Sequence, residues 1–174
     1  MDAPTLHVCP LSGLSGLAAG LGRFDLLTLL SPGHAGDGHR VLACERHLEL
    51  SFHDITEARP GLVAPDRTIV QVILDFARNA GDNTMLIHCW AGISRSTAAA
   101  FISLCALNPE ADELRLAQAL REASPTAHPN RRLVRLGDTV LQRSGRMIEA
   151  VESIGPGEFA EEALVFTLPA LHAA

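Results

Sequence analysis

The run MLIHCWAGISRSTAAAFISL, from Met85 to Leu104, constrains the fold more than any other part of the chain. MLIH is nearly continuous in apolar character, which marks a strand buried on both faces, as at the centre of a parallel sheet. RSTAAAFISL is small and apolar and reads as a helix. CWAGIS is then the turn between them, at the carboxyl end of a central strand, where ligand sites of α/β sheets form.

The rest of the chain supplies partners for that unit. Further β-type runs fall at Thr5–Cys9, Phe24–Leu30, His39–Cys44 and His47–Phe52, with turn chemistry in SPGHAGDG from Ser31 to Gly38. Pro65 opens PDRTIVQVILDFARNA, which places Ile69, Val72, Ile73, Phe76 and Ala77 on one helical face. The helix from Arg95 stops at Asn108-Pro109, and another starts at Pro109 or Glu110 and ends before Ser124-Pro125. Two more follow, from Arg131 to Gln142 and from Gly145 to Ser153. The expected fold is a single α/β domain of residues 1–155, a central, mostly parallel sheet of 4–5 strands flanked by helices. Residues 156–174 form a C-terminal extension docked on it, with VFTLP as an edge strand.

The turn itself carries chemistry. The helix N-terminus points its unpaired N–H groups and partial positive charge into CWAGIS, which favours an anion. Gly92 lets the backbone curl so that successive N–H groups converge. Cys89 starts this cradle, so the same field favours its thiolate. Arg95 closes it with a fork of donors matched to two oxygens of a phosphoryl group. Ser96 is placed to hydrogen-bond the sulfur, and His88 to orient the loop through the backbone. Trp90 and Ile93 face the rim or pack beneath. A buried cysteine before an ordinary turn is the plainer reading of Cys89 taken alone. Five positions set together in H-C-x-x-G-x-x-R-S outweigh it. The chemistry this suits is phosphate-monoester hydrolysis through a cysteinyl-phosphate.

HCWAGISRS matches the H-C-x-x-G-x-x-R-[ST] signature of the protein tyrosine phosphatase superfamily, and its A-G-x-S-R-S ending resembles the compact dual-specificity branch. The resemblance implies Cys89 as nucleophile, Arg95 as phosphate clamp, and Trp90, Ala91, Gly92, Ile93 and Ser94 as the backbone cradle. It implies Ser96 as the hydroxyl that assists departure of the thiolate. SPTAHPNRR resembles the proline–asparagine element of that branch, which implies that Asn130 hydrogen-bonds the phosphate loop from behind. Some family members protect the nucleophile as a disulfide, for which Cys9, Cys44 and Cys105 are the candidate partners here.

Ester cleavage also needs a proton donor for the leaving oxygen. Asp54 in SFHDITEARPG lies just past a strand, and the superfamily acid sits on a loop some tens of residues before the nucleophile. Glu57 is the reserve. Asp37 sits in a glycine-rich turn, while Asp66 and Asp75 belong to a helix start and a solvated face. The segment departs from the tryptophan-proline-aspartate loop familiar in the family.

Charge and composition narrow the partners. Net charge is −6 and every one of the 14 basic residues is an arginine, with no basic run, which speaks against nucleic acid or anionic membrane. Gly20, Gly22, Arg23 and Asp25 interrupt the apolar stretch from Leu11 to Leu30, so no membrane span is expected. Four separated cysteines without a CxxC pair suit a reduced, cytoplasmic protein. His34 and His39 lack a third ligand at metal spacing, so neither metal nor cofactor is expected. The expected substrate is a phosphorylated protein, phosphotyrosine first, with phosphoserine or phosphothreonine as further targets, and the expected state is a monomer. An inositol or lipid phosphate is the alternative substrate, although such pockets place basic residues where this loop has Trp90, Ala91 and Ile93. A catalytically silent phosphoprotein-binding module is the other alternative, and intact Cys89 and Arg95 speak against it.

Overall fold

A computed structural model describes residues 4–34 and 43–171. Five strands, β1 (Thr5–Pro10), β2 (Phe24–Leu30), β3 (Arg46–Ser51), β4 (Thr84–Cys89) and β5 (Phe166–Pro169), form one sheet in the order β3-β2-β4-β1-β5. β4 lies in the middle and runs parallel to both β1 and β2, while β3 runs parallel to β2. β5 closes the other edge, antiparallel to β1, with Leu6 opposite Leu168. All of β2 is buried, as a strand covered on both faces must be, whereas β3 alternates between half-buried and exposed residues at its open edge.

Helices cover the two faces unequally. α1 (Leu14–Gly20) packs Leu14 and Ala18 onto Cys9, Leu26 and Leu86. α2 (Arg67–Arg78), α3 (Arg95–Leu107), α4 (Glu113–Ala123), α5 (Arg131–Val140) and α6 (Arg146–Ser153) cover the opposite face in one larger core with Val8, Leu29 and Ile87. α3 is buried from Arg95 to Cys105 and lies at the centre of this layer.

Several boundaries differ from the sequence expectation for local reasons. The expected strand His39–Cys44 falls largely outside the described residues, and Ala43 and Cys44 lie in no strand. α1 was not expected. Its two turns pack onto the sheet through residues four apart, too short a segment to show a period beside its two glycines. α2 begins at Arg67 rather than Pro65 because Asp66 caps the Ile69 N–H. Its buried face is Val70, Ile73, Leu74 and Ala77, rotated from the expected stripe so that Ile69 and Phe76 flank it. α4 starts at Glu113, not Pro109 or Glu110, because the Asp112 carboxylate accepts from the N–H groups of Leu114 and Arg115. No described helix is long and apolar enough to cross a membrane.

This topology places a crevice above β4. The neighbours β1 and β4 lead into α1 and α3 on opposite faces of the sheet, so the crevice between their carboxyl ends is a switch point of the kind where open α/β sheets bind ligands.

Candidate active site

Residues 89–94 form a bowl whose shape is set from outside. Four backbone donors from elsewhere in the chain pull its carbonyls outward. Leu11 N–H bonds Trp90 O (3.0 Å), Ala163 N–H bonds Ala91 O (2.9 Å), His128 N–H bonds Ile93 O (2.9 Å) and Asn130 N–H bonds Ser94 O (3.2 Å). In a trans peptide the C=O and the next N–H point in opposite directions, so the amides of residues 91, 92, 94 and 95 turn inward. The Gly92 N–H shows this directly, reaching Cys89 Sγ at 3.2 Å. Ser96 Oγ, at the second residue of α3, lies 3.2 Å from the same sulfur. Cys89 is buried at the floor, 3% exposed. With the α3 N-terminus behind it, the bowl is a nest of donors around a sulfur.

Gly92 is required by two independent facts. Its φ is +71°, and a Cβ there would lie 2.8 Å from Pro10 N and 2.9 Å from the carbonyl carbon of Cys9. Both neighbours are sheet backbone and do not give way. Gly92→Ala therefore turns its own N–H off the bowl. Losing one hydrogen bond to a charged group is worth roughly tenfold or more. Vanadate binding measured by calorimetry should weaken by about that factor, and unchanged affinity would show that the Gly92 amide does not face the anion.

Arg95 is held at one end only. Nη1 donates to Ser31 Oγ (3.0 Å) and to the Phe52 carbonyl (2.8 Å), both neutral. The guanidinium carbon sits 6.0 Å from the centre of the Phe52 ring. Nε is buried without a partner among the described residues. A buried cation with an unfilled donor is costly unless an anion completes it. Ser31 follows β2 and Phe52 follows β3, so the carboxyl ends of three adjacent strands converge on one fork.

The candidate acid is fixed to the same bowl. Asp54 Oδ1 accepts from Ser94 Oγ (2.8 Å) and from Asn130 Nδ2 (2.7 Å), while the residue remains exposed. Asn130 caps α5 by accepting the N–H groups of Arg132 and Leu133, both at 3.0 Å. Its link to the phosphate loop runs through its backbone N–H, and its side chain grips Asp54 instead. Glu57 is exposed further along the same loop and joins none of these contacts. Asp37 lies outside the described residues, Asp66 caps α2, and Asp75 accepts from Gln71. His53 is committed to its own loop, its Nδ1 accepting from the Val63 N–H at 2.9 Å.

Behind the bowl, a hydroxyl links two imidazoles. Thr28 Oγ1 lies 2.9 Å from Nε2 of His47 and 2.9 Å from Nε2 of His88, and His88 Nδ1 lies 3.3 Å from the Cys89 carbonyl. Trp90 stands 52% exposed at the rim, its ring meeting that of His34 edge-on at 5.4 Å.

Sequence reasoning missed Ser31, Thr28 and Ala163. Thr28 left a signal as the lone neutral polar residue in FDLLTLL, and Ser31 as the first residue after that strand. Ala163 contributes only a backbone N–H, for which a side-chain pattern has no mark. The other thiols are set apart from Cys89. Burial, reinforced by the Cys89 charge, pushes Cys9 up to about 12, and burial likewise pushes Cys105 up to about 12. Burial also raises Cys44. Cys9 belongs to the small core under α1, on the other side of the sheet from the core that contains Cys89. No group of three His, Cys, Asp or Glu among the described residues is arranged to hold a metal ion.

No protein-family model matches the chain, and no curated protein matches it. Solved structures do. The chain is similar to that of DUSP15, at 18% identity over 93% of this chain and 97% of that one, with a TM-score of 0.59. It is similar to the Yvh1 phosphatase domain from Chaetomium thermophilum, at 18% identity over 84% and 95% of the two chains, with a TM-score of 0.57. A mouse putative dual specificity phosphatase complexed with zinc tungstate matches at 18% identity over 82% and 80%, with a TM-score of 0.51. At these identities the likeness is one of fold.

Proposed function

We propose that this chain, which has the compact fold of the dual-specificity phosphatases, hydrolyses phosphomonoesters of proteins through a cysteinyl-phosphate, phosphotyrosine first. The observation that carries the reading is the sulfur of Cys89 inside a ring of inward amides, facing a guanidinium pinned by one nitrogen with another left to bind. The mouse relative is complexed with zinc tungstate, and an oxyanion of that kind is the ligand this bowl suits.

On this reading the Cys89 thiolate attacks phosphorus, forming an S–P bond as the P–O bond to the leaving group breaks. The loop amides and Arg95 hold the non-bridging oxygens, whose charge grows in the transition state. Asp54 has Oδ1 occupied by two donors, so the proton it delivers to the leaving oxygen sits on Oδ2. Water then attacks the cysteinyl-phosphate, Asp54 takes its proton, and the Ser96 hydroxyl stabilises the departing sulfur. Free thiols throughout suit a reducing, cytoplasmic setting where that sulfur persists.

The direct test is hydrolysis of p-nitrophenyl phosphate by the purified chain, insensitive to chelator and inhibited by orthovanadate. A chain that binds vanadate but never turns over is the silent binding module instead. The acid is tested by leaving group. Asp54→Asn should lower kcat by about 10²–10⁴-fold on a poor leaving group such as phenyl phosphate, and far less on a good one. Equal losses on both would move the role to another group, Glu57 first.

A further inference from the structure

Between α6 and β5 the chain passes the phosphate loop as a segment that belongs to neither helix nor strand. Its backbone is fastened at both ends. Glu158 N–H bonds Pro125 O and Ala163 N–H bonds Ala91 O, both at 2.9 Å, and Ser12 Oγ donates to Glu162 Oε2 at 2.7 Å. Gly157 seats the segment so closely that a Cβ there would meet the carbonyl oxygens of Thr126 and Ala127. The side chains point the other way. Phe159 is 97% exposed, Leu164 87% and Val165 44%. A fastened backbone that holds large apolar side chains in water forgoes the stabilisation their burial would give, and patches of this kind mark contact surfaces. The patch is continuous with the rim of the bowl. Ala91, held by Ala163, follows Trp90, and Leu11, which holds Trp90 O, precedes Ser12. The same eight residues, EFAEEALV, carry Glu158, Glu161 and Glu162 and no arginine. All three carboxylates are exposed, and those of Glu158 and Glu161 have no partner among the described residues. Arg121, which reaches the start of the segment, commits its guanidinium to the carbonyls of Pro125 and Gly155.

We infer that residues 158–165 dock a basic amphipathic helix of another protein. Phe159 and Leu164 enter between the apolar side chains of one helix face, and the carboxylates meet lysines or arginines along its borders. Five residues separate Phe159 from Leu164, at most about 18 Å of chain. That is the length of about three helical turns. The charge selects this occupant. A second copy of the chain would set the same carboxylates against one another, and an anionic lipid surface would repel them. The surface lies outside the bowl, so the helix needs no phosphate, and the inference goes beyond the phosphatase reading without resting on it.

The experiment is fluorescence anisotropy of the full chain with a labelled amphipathic helix of leucine and lysine, about 18 residues and so about 27 Å long. A scrambled Leu/Lys peptide without an apolar face and a Leu/Glu helix are the controls. The Leu/Lys helix should bind about tenfold tighter than either, and less tightly as salt rises. Phe159→Ala/Leu164→Ala should weaken it by about tenfold or more with every charge kept. Both side chains are exposed, so this variant keeps its fold, which circular dichroism checks. Glu158→Gln/Glu161→Gln should weaken binding by about threefold to tenfold and flatten the salt dependence. Glu110→Gln/Glu122→Gln, which removes as much charge elsewhere, should leave the affinity unchanged. Absent binding, equal binding of the scrambled peptide, or an affinity that survives Phe159→Ala/Leu164→Ala overturns the docking surface. So does an equal loss in Glu110→Gln/Glu122→Gln. Self-association seen by sedimentation and abolished by the alanine pair would assign the patch to a second copy and overturn it as well. Hydrolysis of p-nitrophenyl phosphate is read separately, and its absence removes the phosphatase reading while the docking result stands.

Discussion

Cys89→Ser should abolish turnover of p-nitrophenyl phosphate, by about 10⁴-fold or more, while leaving the fold and oxyanion binding in place. The substitution changes one atom on a buried side chain. The Gly92 N–H and the Ser96 hydroxyl that meet the sulfur at 3.2 Å also meet a serine oxygen, so the bowl keeps its shape. What disappears is the sulfur nucleophile. A serine hydroxyl needs a base to remove its proton, and the two neighbours on the sulfur are an amide donor and another hydroxyl. Asp54 cannot serve in this step, because on the same reading it enters it already carrying the proton destined for the leaving group. Steady-state turnover and vanadate titration of the same preparation separate the two effects. Turnover within tenfold of wild type would end the cysteinyl-phosphate mechanism, whereas lost turnover with retained vanadate binding supports it.

Arg95→Met should remove about 10³-fold from kcat/KM and yet leave the melting temperature at or above that of the wild type. The guanidinium is 5% exposed, and its Nη1 partners, the Phe52 carbonyl and the Ser31 hydroxyl, are neutral. A buried charge supported only by dipoles is a burden on the folded state, and an apolar chain of similar length relieves it. Added phosphate should reverse the ranking. The wild type gains stability as the anion fills the site, and the variant gains little. Thermal unfolding with and without phosphate measures both effects. A variant that loses much stability without phosphate would show that Arg95 is a structural prop rather than an anion clamp.

The strand–loop–helix unit was legible because several signals agreed there. MLIH is buried as a continuous apolar run predicts, and α3 is small-residue and buried almost throughout. The mostly parallel sheet followed from that unit with its flanking strands. Helix starts at α2 and α4 were displaced because aspartates one or more residues inside the proline signals took the capping role. α1 was hidden by glycines in a segment whose stability comes from the sheet beneath it and not from its own propensity. At the candidate site, the groups with reactive side chains were readable, since chemistry restricts residue type. The supports were less so. Ser31 reaches Arg95 across 64 positions, and the Leu11, Ala163 and His128 amides act through the main chain, where any residue would do. Asn130 stood out by resemblance, but its side chain's grip on Asp54 depends on how α5 meets the loop after β3 and has no local trace.

The tether on Asp54 has a consequence for how molecules reach this centre. Ser94 and Asn130 hold the carboxylate through bonds that no substrate atom has to complete, and His53 zips its loop to Val63. A segment fastened in advance surrenders little chain entropy when a guest arrives, and no swinging flap need set the pace. The acid loop itself then adds no closing step to entry or exit, and the wall it presents is in place before a guest arrives.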